Sequence, residues 1–311
     1  MDAQLGRIIS ALLIAILVTA PVLFGALRDQ DFFWIQVLGV LAAVAWLVRF
    51  WLVPRPIFLP PILLPLAAFC VYAIIRYYTS DVEYLARKEV VRVLFYMMFF
   101  VLALNHFRDA KLADIAVGTL LVLGMALSLW ALRQYLADSE HVWHLVRPAY
   151  KHRGSGTFIY PNHFAGFAEM LLALGFGYVF LGTWSKWTRV FFGYCSLWIV
   201  LGIYGSLSRA GWIAAAGGLL ILLPVLLRNR QRQIVAFIVV VLLLFAGLVA
   251  ELSTHQMADR LHGALTNDIN GFHSRRALWH GAWQIWRDHP VWGGGAGHFD
   301  ERFRAYRPWR F

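Results

Sequence analysis

The stretch Gly205-Ser206-Leu207-Ser208-Arg209-Ala210-Gly211-Trp212 joins two long apolar segments of the chain. Residues 190–208 contain no charged side chain, and residues 210–227 contain none either. A helix of about 20 apolar residues spans the hydrocarbon core of a bilayer, so each segment can cross a membrane. Arg209 is then a single cation at a turn between two spans. Such a cation either reaches the lipid headgroups or meets a partner or an anionic ligand.

The composition places the whole chain among membrane proteins. Its 311 residues are 60% hydrophobic and 14% charged, whereas soluble domains have about 25% charged residues. Nine charge-poor segments predict an all-α, multi-pass integral membrane protein. The expected domains are a transmembrane domain over residues 1–250 and a polar segment over residues 251–311. The nine predicted spans cover residues 8–27, 33–53, 57–75, 89–107, 113–132, 162–183, 190–207, 210–227 and 234–250.

The Lys and Arg residues of the short loops predict a cytoplasmic N-terminus. The opposite, outer face then carries a loop over residues 137–161, the turn at 206–209 and the segment after residue 251. These outer segments also contain many cations, which indicates a site for an anionic ligand. The basic residues are dispersed between spans, so nucleic-acid binding is not expected. Cys70 and Cys195 both lie in apolar segments and predict neither a disulfide framework nor a metal site.

The outer loop ends in Lys151-His152-Arg153-Gly154-Ser155-Gly156-Thr157-Phe158-Ile159-Tyr160-Pro161-Asn162-His163-Phe164-Ala165. Pro161 suits the first position of a helix, and Asn162 or Thr157 can cap the amides there. Since helix N-termini attract anions, Arg153 beside two glycines is a candidate phosphate-binding residue. A plain loop is the alternative. Glu169, two turns into the next span, either pairs with an Arg of the outer face or transfers protons.

The polar segment contains an amphipathic helix near residues 274–288, with Ser274 as N-cap and Pro290 beyond its end. Its Trp-rich face predicts a helix that lies on the bilayer or covers a cavity between spans. Arg275 and Arg276 begin this helix. The following Gly293-Gly294-Gly295-Ala296-Gly297-His298 either brings backbone amides close to an oxyanion or forms a tight turn.

Three motifs occur in order along the chain. They are Arg153-x-x-Gly156-Thr157-Phe158-x-x-Pro161-Asn162-x-Phe164-Ala165, then Ser206-x-Ser208-Arg209-Ala210-Gly211, then Ser274-Arg275-x-x-x-Trp279 with His289-Pro290-x-x-Gly293-x-Gly295-x-Gly297-x-Phe299. Together they resemble the O-antigen ligase and O-antigen polymerase family of bacterial envelope enzymes. The resemblance covers roughly residues 150–305.

The resemblance implies a glycosyltransferase of the bacterial inner membrane that works at the periplasmic face. Such an enzyme moves a glycan from undecaprenyl diphosphate to an acceptor, either lipid A core or a growing polysaccharide, with no cofactor and no metal. Arg209 and Arg275 are the implied catalytic residues and hold the diphosphate. The candidate substrate-binding residues are Arg153, Asn162, Ser208, Arg276, Gly295, Gly297 and His298.

The chain departs from the family in one respect. The family places its catalytic His in a His-Asn pair near the end of this outer loop, and the chain has no His-Asn dipeptide. We therefore expect a fragment or a truncated form, with His273, His280 and His298 as stand-ins or as interfacial polar residues. A transporter or flippase of an anionic lipid-linked glycan and a non-catalytic relative are the alternatives. Transporters usually show internal repeats and buried acids, and only Glu169 is such an acid here.

Overall fold

The computed structural model describes residues 2–54, 56–147, 150–182, 184–226 and 272–306. These residues form helices with one short β-hairpin. The hairpin pairs β1 (His141–Val142) with β2 (Leu145–Val146) in antiparallel fashion, and a 3₁₀ turn covers Phe24–Ala26. The helices are α1 (Asp2–Val22), α2 (Asp29–Leu52), α3 (Leu63–Tyr78), α4 (Glu83–His106), α5 (Ala110–Leu136), α6 (Pro161–Leu181), α7 (Lys186–Gly205), α8 (Arg209–Leu226), α9 (Phe272–Asp288) and α10 (Phe299–Tyr306).

The all-α membrane architecture is confirmed, but the structure does not confirm nine spans. Among the described residues, six helices are long and apolar enough to cross a membrane: α1, α2, α4, α5, α6 and α7. The predicted span at 57–75 becomes the shorter α3, which starts at Leu63. Pro60 and Pro61 precede that start, and a proline inside a helix has no N–H to donate. The predicted span at 234–250 lies outside the described residues.

The chain divides into two compact units. The first contains Met1–Val53 and His106–Leu252, and the second contains Pro54–Asn105 and Ser253–Phe311. The sequence predicted a different kind of division, between a transmembrane domain up to residue 250 and a polar segment after it. That division stays a prediction.

The core of the first unit lies among α5, α6, α7 and α8. Its centre is made of fully buried aliphatic and aromatic side chains, including Phe164, Leu172 and Ile199. Small residues occupy the helix crossings, because a Cβ added at Gly202 of α7 would lie 2.5 Å from the Cβ of Ser128 on α5. Close approach of backbones at small residues is a main way for membrane helices to associate.

Three connections of the first unit meet at one end of its helices. The Thr157 hydroxyl donates to the carbonyl of Pro21 at 2.7 Å, and the Gly154 amide donates to the carbonyl of Gly205 at 2.8 Å. The segments after α1, α5 and α7 therefore share this end. The contact agrees with the prediction that residues 137–161 and the turn at 206–209 lie on one face. That this face is the outer one stays a prediction.

The second unit holds α3, α4, α9 and α10. The ring of Trp292 stacks on Tyr72 of α3 at 6.3 Å, and Arg302 of α10 forms an ion pair with Asp81. The predicted amphipathic helix near 274–288 is present as α9, which begins two residues earlier at Phe272. The sequence did not predict the short helix α10.

Candidate functional site

Arg153 braces the turn between α7 and α8. Its Nε donates to the carbonyl of Ser206 at 2.9 Å, and its Nη2 lies 3.4 Å from the carbonyl of Leu207. The same Nη2 donates to Oδ1 of Asn162 at 2.9 Å. The last carbonyls of a helix carry partial negative charge, so a guanidinium is well suited to this position. We refer to Arg153, Asn162, the turn Ser206–Ser208 and Arg209 as the arginine junction.

The glycines beside Arg153 let its loop pack closely on α5. A Cβ at Gly154 would clash with the carbonyl oxygen of Ala131, and Gly156 has a φ of 58° with the carbonyl of Leu127 nearby. Side chains at these two positions would push the loop away from α5. The contacts account for both glycines through packing, without a phosphate ligand.

Ser208 and Arg209 start α8. The buried hydroxyl of Ser208 accepts a hydrogen bond from the Gly211 amide at 3.3 Å, which is the geometry of a helix N-cap. Leu207 before it has a φ of 49°, a left-handed conformation that most residues avoid. The side chain of Arg209 is exposed at the first residue of the helix. Its guanidinium therefore adds to the partial positive charge of the α8 N-terminus, and an anion is attracted to both.

Gln134, which sequence reasoning missed, connects the loop of Arg153 to the hairpin. Its Oε1 accepts from the Ser155 amide at 3.0 Å, and its Nε2 donates to the carbonyls of His141 at 3.0 Å and Gly156 at 2.9 Å. The side chain is buried and uses both ends of its amide group. A Gln near the end of an apolar segment was the available signal, but its partners lie up to 22 residues away.

Arg147 is the most buried cation of this region, with 5% of its surface exposed. Its Nη1 donates to the carbonyl of Ile159 at 3.2 Å. Within the described part of the chain, its Nε and Nη2 have no hydrogen-bond partner. Burial lowers the pKa of the Arg147 guanidinium, although an arginine is still charged at neutral pH. Besides Arg153, the loop therefore contains a buried arginine, Arg147, with only some of its N–H groups hydrogen-bonded.

The remaining predicted site residues lie in the second unit. Arg275 is in the first turn of α9, and the side chain of Arg276 is exposed. Gly295 and Gly297 have φ values of 104° and 73°. His298 is 2% exposed, and its Nε2 lies 3.2 Å from the Ser80 hydroxyl and 3.2 Å from the Val82 carbonyl.

This geometry favours the tight-turn interpretation of the glycine segment. A Cβ at Gly295 would lie 2.5 Å from Nδ1 of His298, and a Cβ at Gly297 would lie 3.2 Å from Glu89 of α4. The glycines thus allow the segment to pack around a buried histidine.

The structure brings Arg153, Asn162 and Ser208 together with Arg209 in the first unit. The roles of all these residues stay predictions.

Glu169 is the acidic residue for which the sequence predicts either pairing with an arginine or proton transfer. Glu169 of α6 is half-buried and makes no hydrogen bond or ion pair with another described residue. The expected pairing with an outer-face Arg is therefore not present there. A search of the same residues finds no cluster of three or more His, Cys, Asp or Glu side chains that could hold a metal ion.

Comparison with known proteins identifies the C-terminal part of the chain. Residues 194–311 match a family described as O-antigen ligase. Those residues are similar to the O-antigen ligase family. This confirms the resemblance read from the motifs, and the matched region contains both the Ser208–Arg209 start of α8 and the Arg275 helix. No curated protein and no solved structure matches the chain.

The O-antigen ligase match and the apolar helices agree with each other. Six long apolar helices and this family describe a multi-pass bacterial membrane protein. The match also supports a function of the membrane glycosyltransferase type, with lipid-linked glycans as the class of substrate.

Proposed function

We propose that this protein transfers a glycan from undecaprenyl diphosphate to an acceptor at the periplasmic face of the bacterial inner membrane. The acceptor is lipid A core or a growing polysaccharide. The observation that carries the proposal is the position of Arg209 at the N-terminus of α8, on a turn that Arg153 holds in place. Arg209 and its turn lie inside the region that matches the O-antigen ligase family, residues 194–311, and Arg153 precedes that region.

Arg209 and Arg275 act in this proposal as the groups that hold the diphosphate. When the bond between sugar and diphosphate breaks, negative charge develops on the leaving phosphate oxygen. Guanidinium groups stabilise that charge with paired hydrogen bonds, and they do so best where water is scarce. The backbone amides at the start of α8 add fixed dipoles of the same sign. In this scheme the charge is stabilised by side chains and a helix terminus alone.

Arg153, Asn162 and Ser208 are positioning residues in the same proposal. Arg153 and Asn162 are hydrogen-bonded to each other, and Ser208 caps α8. Arg153 also donates to the carbonyl of Ser206 before Arg209, and the Ser208 hydroxyl accepts from the Gly211 amide after it, so the backbone on both sides of Arg209 is held. Pre-organised charge is more effective in catalysis than charge that must move during the reaction.

The acceptor hydroxyl needs a general base, a contribution worth about 10²–10⁴ in rate. His298 is buried against Ser80 and Val82, which favours a structural role for it. The side chain of His280 on α9 is exposed. Of the two candidate histidines whose side chains the structure describes, His280 is therefore the one accessible to an acceptor.

Transfer of glycan from its lipid carrier tests the diphosphate-binding role. We expect Arg209→Ala and Arg275→Ala each to lower transfer by about 10²–10³-fold at normal protein levels, the usual loss when one stabilising donor is removed. Two exposed arginines provide matched controls. Arg189 lies at the start of α7 and Arg287 in the last turn of α9. Arg189→Ala and Arg287→Ala should transfer glycan like the wild type. Near wild-type transfer by both Arg209→Ala and Arg275→Ala would contradict the proposal.

A further inference from the structure

A cleft beside the β-hairpin lies in the first unit and is separate from the arginine junction. Its volume is ≈ 540 Å³, within the range of about 300–1,000 Å³ that small-molecule sites occupy. The side chains that characterise it are aromatic and polar, with two histidines and one arginine among them. They are Trp130, Trp143, Arg133, Gln134, His141 and His144.

Two tryptophans form the aromatic wall of this cleft. The ring centroids of Trp130 and Trp143 are 5.9 Å apart, and the ring planes meet at 31°. The guanidinium of Arg133 lies over the Trp130 ring at 5.6 Å from its centroid. Trp130 and Trp143 are 41% and 51% exposed, so part of each residue is accessible.

Trp143 is held at a position that a large side chain rarely takes. It is the first residue of the two-residue hairpin turn, and its φ is 50°. Hairpin turns normally place Gly, Asn or Asp at a residue of positive φ. The Trp143 indole N–H donates to the carbonyl of Val22 at 3.2 Å, and His144 packs edge-on against Phe24 at 5.6 Å. Unfavourable backbone conformations of this kind are common at functional sites.

We propose that this cleft binds sugar rings of a glycan substrate. The C–H face of a pyranose packs on an aromatic ring, because the face of the ring is electron-rich and the C–H groups are weakly positive. Two accessible indole rings offer such faces side by side. Arg133, His141 and His144 supply hydrogen bonds to hydroxyl groups, and Arg133 also suits the carboxylate of an acidic sugar.

This assignment deepens the proposed function and rests on it for the class of ligand. Gln134 lines the cleft and also holds the loop that carries Arg153, through its bonds to Ser155 and Gly156. A lipid-linked glycan has a diphosphate and an oligosaccharide in one molecule. The first unit thus offers the arginine junction for the diphosphate and the cleft for the sugars.

Tryptophans also gather at membrane interfaces, where they contact lipid headgroups. That role requires no cavity and no convergence of Arg and His side chains on one hollow surface. The two interpretations differ in what a Trp-to-Leu change removes. Leucine keeps an apolar side chain for lipid contact and removes the aromatic face and the indole N–H.

Binding of carrier-free oligosaccharides to the full chain in lipid nanodiscs tests the cleft. The probes are fluorescently labelled oligosaccharides released by mild acid, one set from the strain's undecaprenyl-diphosphate intermediates and one from its acceptor glycan. We expect Trp143→Leu and Arg133→Gln each to weaken binding by about tenfold. Trp187→Leu, at a tryptophan 84% exposed near the start of α7, is the control and should bind like the wild type.

Loss of the donor set alone assigns the cleft to the donor, and loss of the acceptor set alone assigns it to the acceptor. Unchanged binding in Trp143→Leu and Arg133→Gln overturns the proposal, as does a wild type that binds neither set. Lower thermal stability of Trp143→Leu with unchanged binding overturns it in favour of a lipid contact. The probes carry no diphosphate, so we expect Arg209→Ala to bind them like the wild type. Binding of the probes therefore tests the cleft, and glycan transfer separately tests the diphosphate-binding residues.

Discussion

Arg153 and Arg147 lie in the same loop but differ in how many hydrogen-bond acceptors the fold provides for them. Arg153 has three described acceptors, on Ser206, Leu207 and Asn162. Arg147 is more deeply buried and has one, on Ile159. A hydrogen bond to a charged group contributes about 1.5–3 kcal/mol, and a buried donor without a partner costs about 1–3 kcal/mol. The two side chains should therefore respond in opposite ways to the same substitution.

We expect Arg153→Met to lower the free energy of unfolding by about 2–4 kcal/mol, because it removes the contacts that hold the end of α7. Arg147→Met should leave the free energy of unfolding unchanged or raise it slightly, because methionine needs no partners and fills a similar volume. Thermal unfolding of the purified protein in detergent measures both. A larger fall for Arg147→Met than for Arg153→Met would show that Arg147 has the more important structural contacts.

The sequence motifs predicted Arg153 and Asn162 as candidate site residues but did not predict what these side chains contact. The motif around Arg153, Gly156 and Asn162 was recognised, and an anionic ligand was expected for it. The structure shows Arg153 bonded to backbone carbonyls 53 and 54 residues away. Local sequence contains no information on such distant acceptors. Gln134 was missed for the same reason, since its partners are on another loop and a hairpin.

Helix packing in the first unit depends on small residues at the crossings. Gly202 of α7 lies against Ser128 of α5, and Gly211 of α8 lies against Ala165 of α6. The second pair joins the Arg209 motif to the Pro161–Ala165 motif. The recurrence of small residues in both motifs is thus explained by close helix contact.

Gly202→Ala should destabilise the protein by about 1–3 kcal/mol, the usual cost of overpacking. The added Cβ would lie 2.5 Å from the Cβ and 2.8 Å from the Cα of Ser128, so a helix has to move. Gly193→Ala on the same helix is the matched control, because its nearest neighbour would be Val179 at an ordinary 3.9 Å. Equal melting temperatures for the two variants would contradict the described crossing of α5 and α7.

Apolar segments predicted that these helices exist, and the accuracy of their starts varies. The starts of α6 at Pro161 and α8 at Arg209 lie within one residue of the predicted spans. Helices α1 and α4 begin six residues before their predicted spans, because each helix includes charged residues that precede the apolar segment. The start of α3 was wrong by six residues, because the apolar count ignored the break at Pro60–Pro61. The hairpin was not foreseen, since two strands of two residues are too short to produce an alternating pattern.

The loop charges predict the sidedness of the molecule in the membrane, and direct labelling tests that prediction. We expect Lys151→Cys to react with a membrane-impermeant thiol reagent in cells whose outer membrane is permeable to it. Lys186→Cys should react only after the inner membrane is opened. Both side chains are exposed, and Cys70→Ala and Cys195→Ala remove the background thiols. The reverse labelling pattern would invert the proposed orientation.

In the proposed reaction, undecaprenyl diphosphate is released each time a glycan is transferred. Purified protein in liposomes is given an undecaprenyl-diphosphate oligosaccharide and an acceptor glycan, and both the extended acceptor and the released undecaprenyl diphosphate are quantified. We expect one undecaprenyl diphosphate for each glycan transferred, with both products lost in Arg209→Ala. Movement of the intact donor across the bilayer without release of undecaprenyl diphosphate would contradict glycan transfer and identify a flippase.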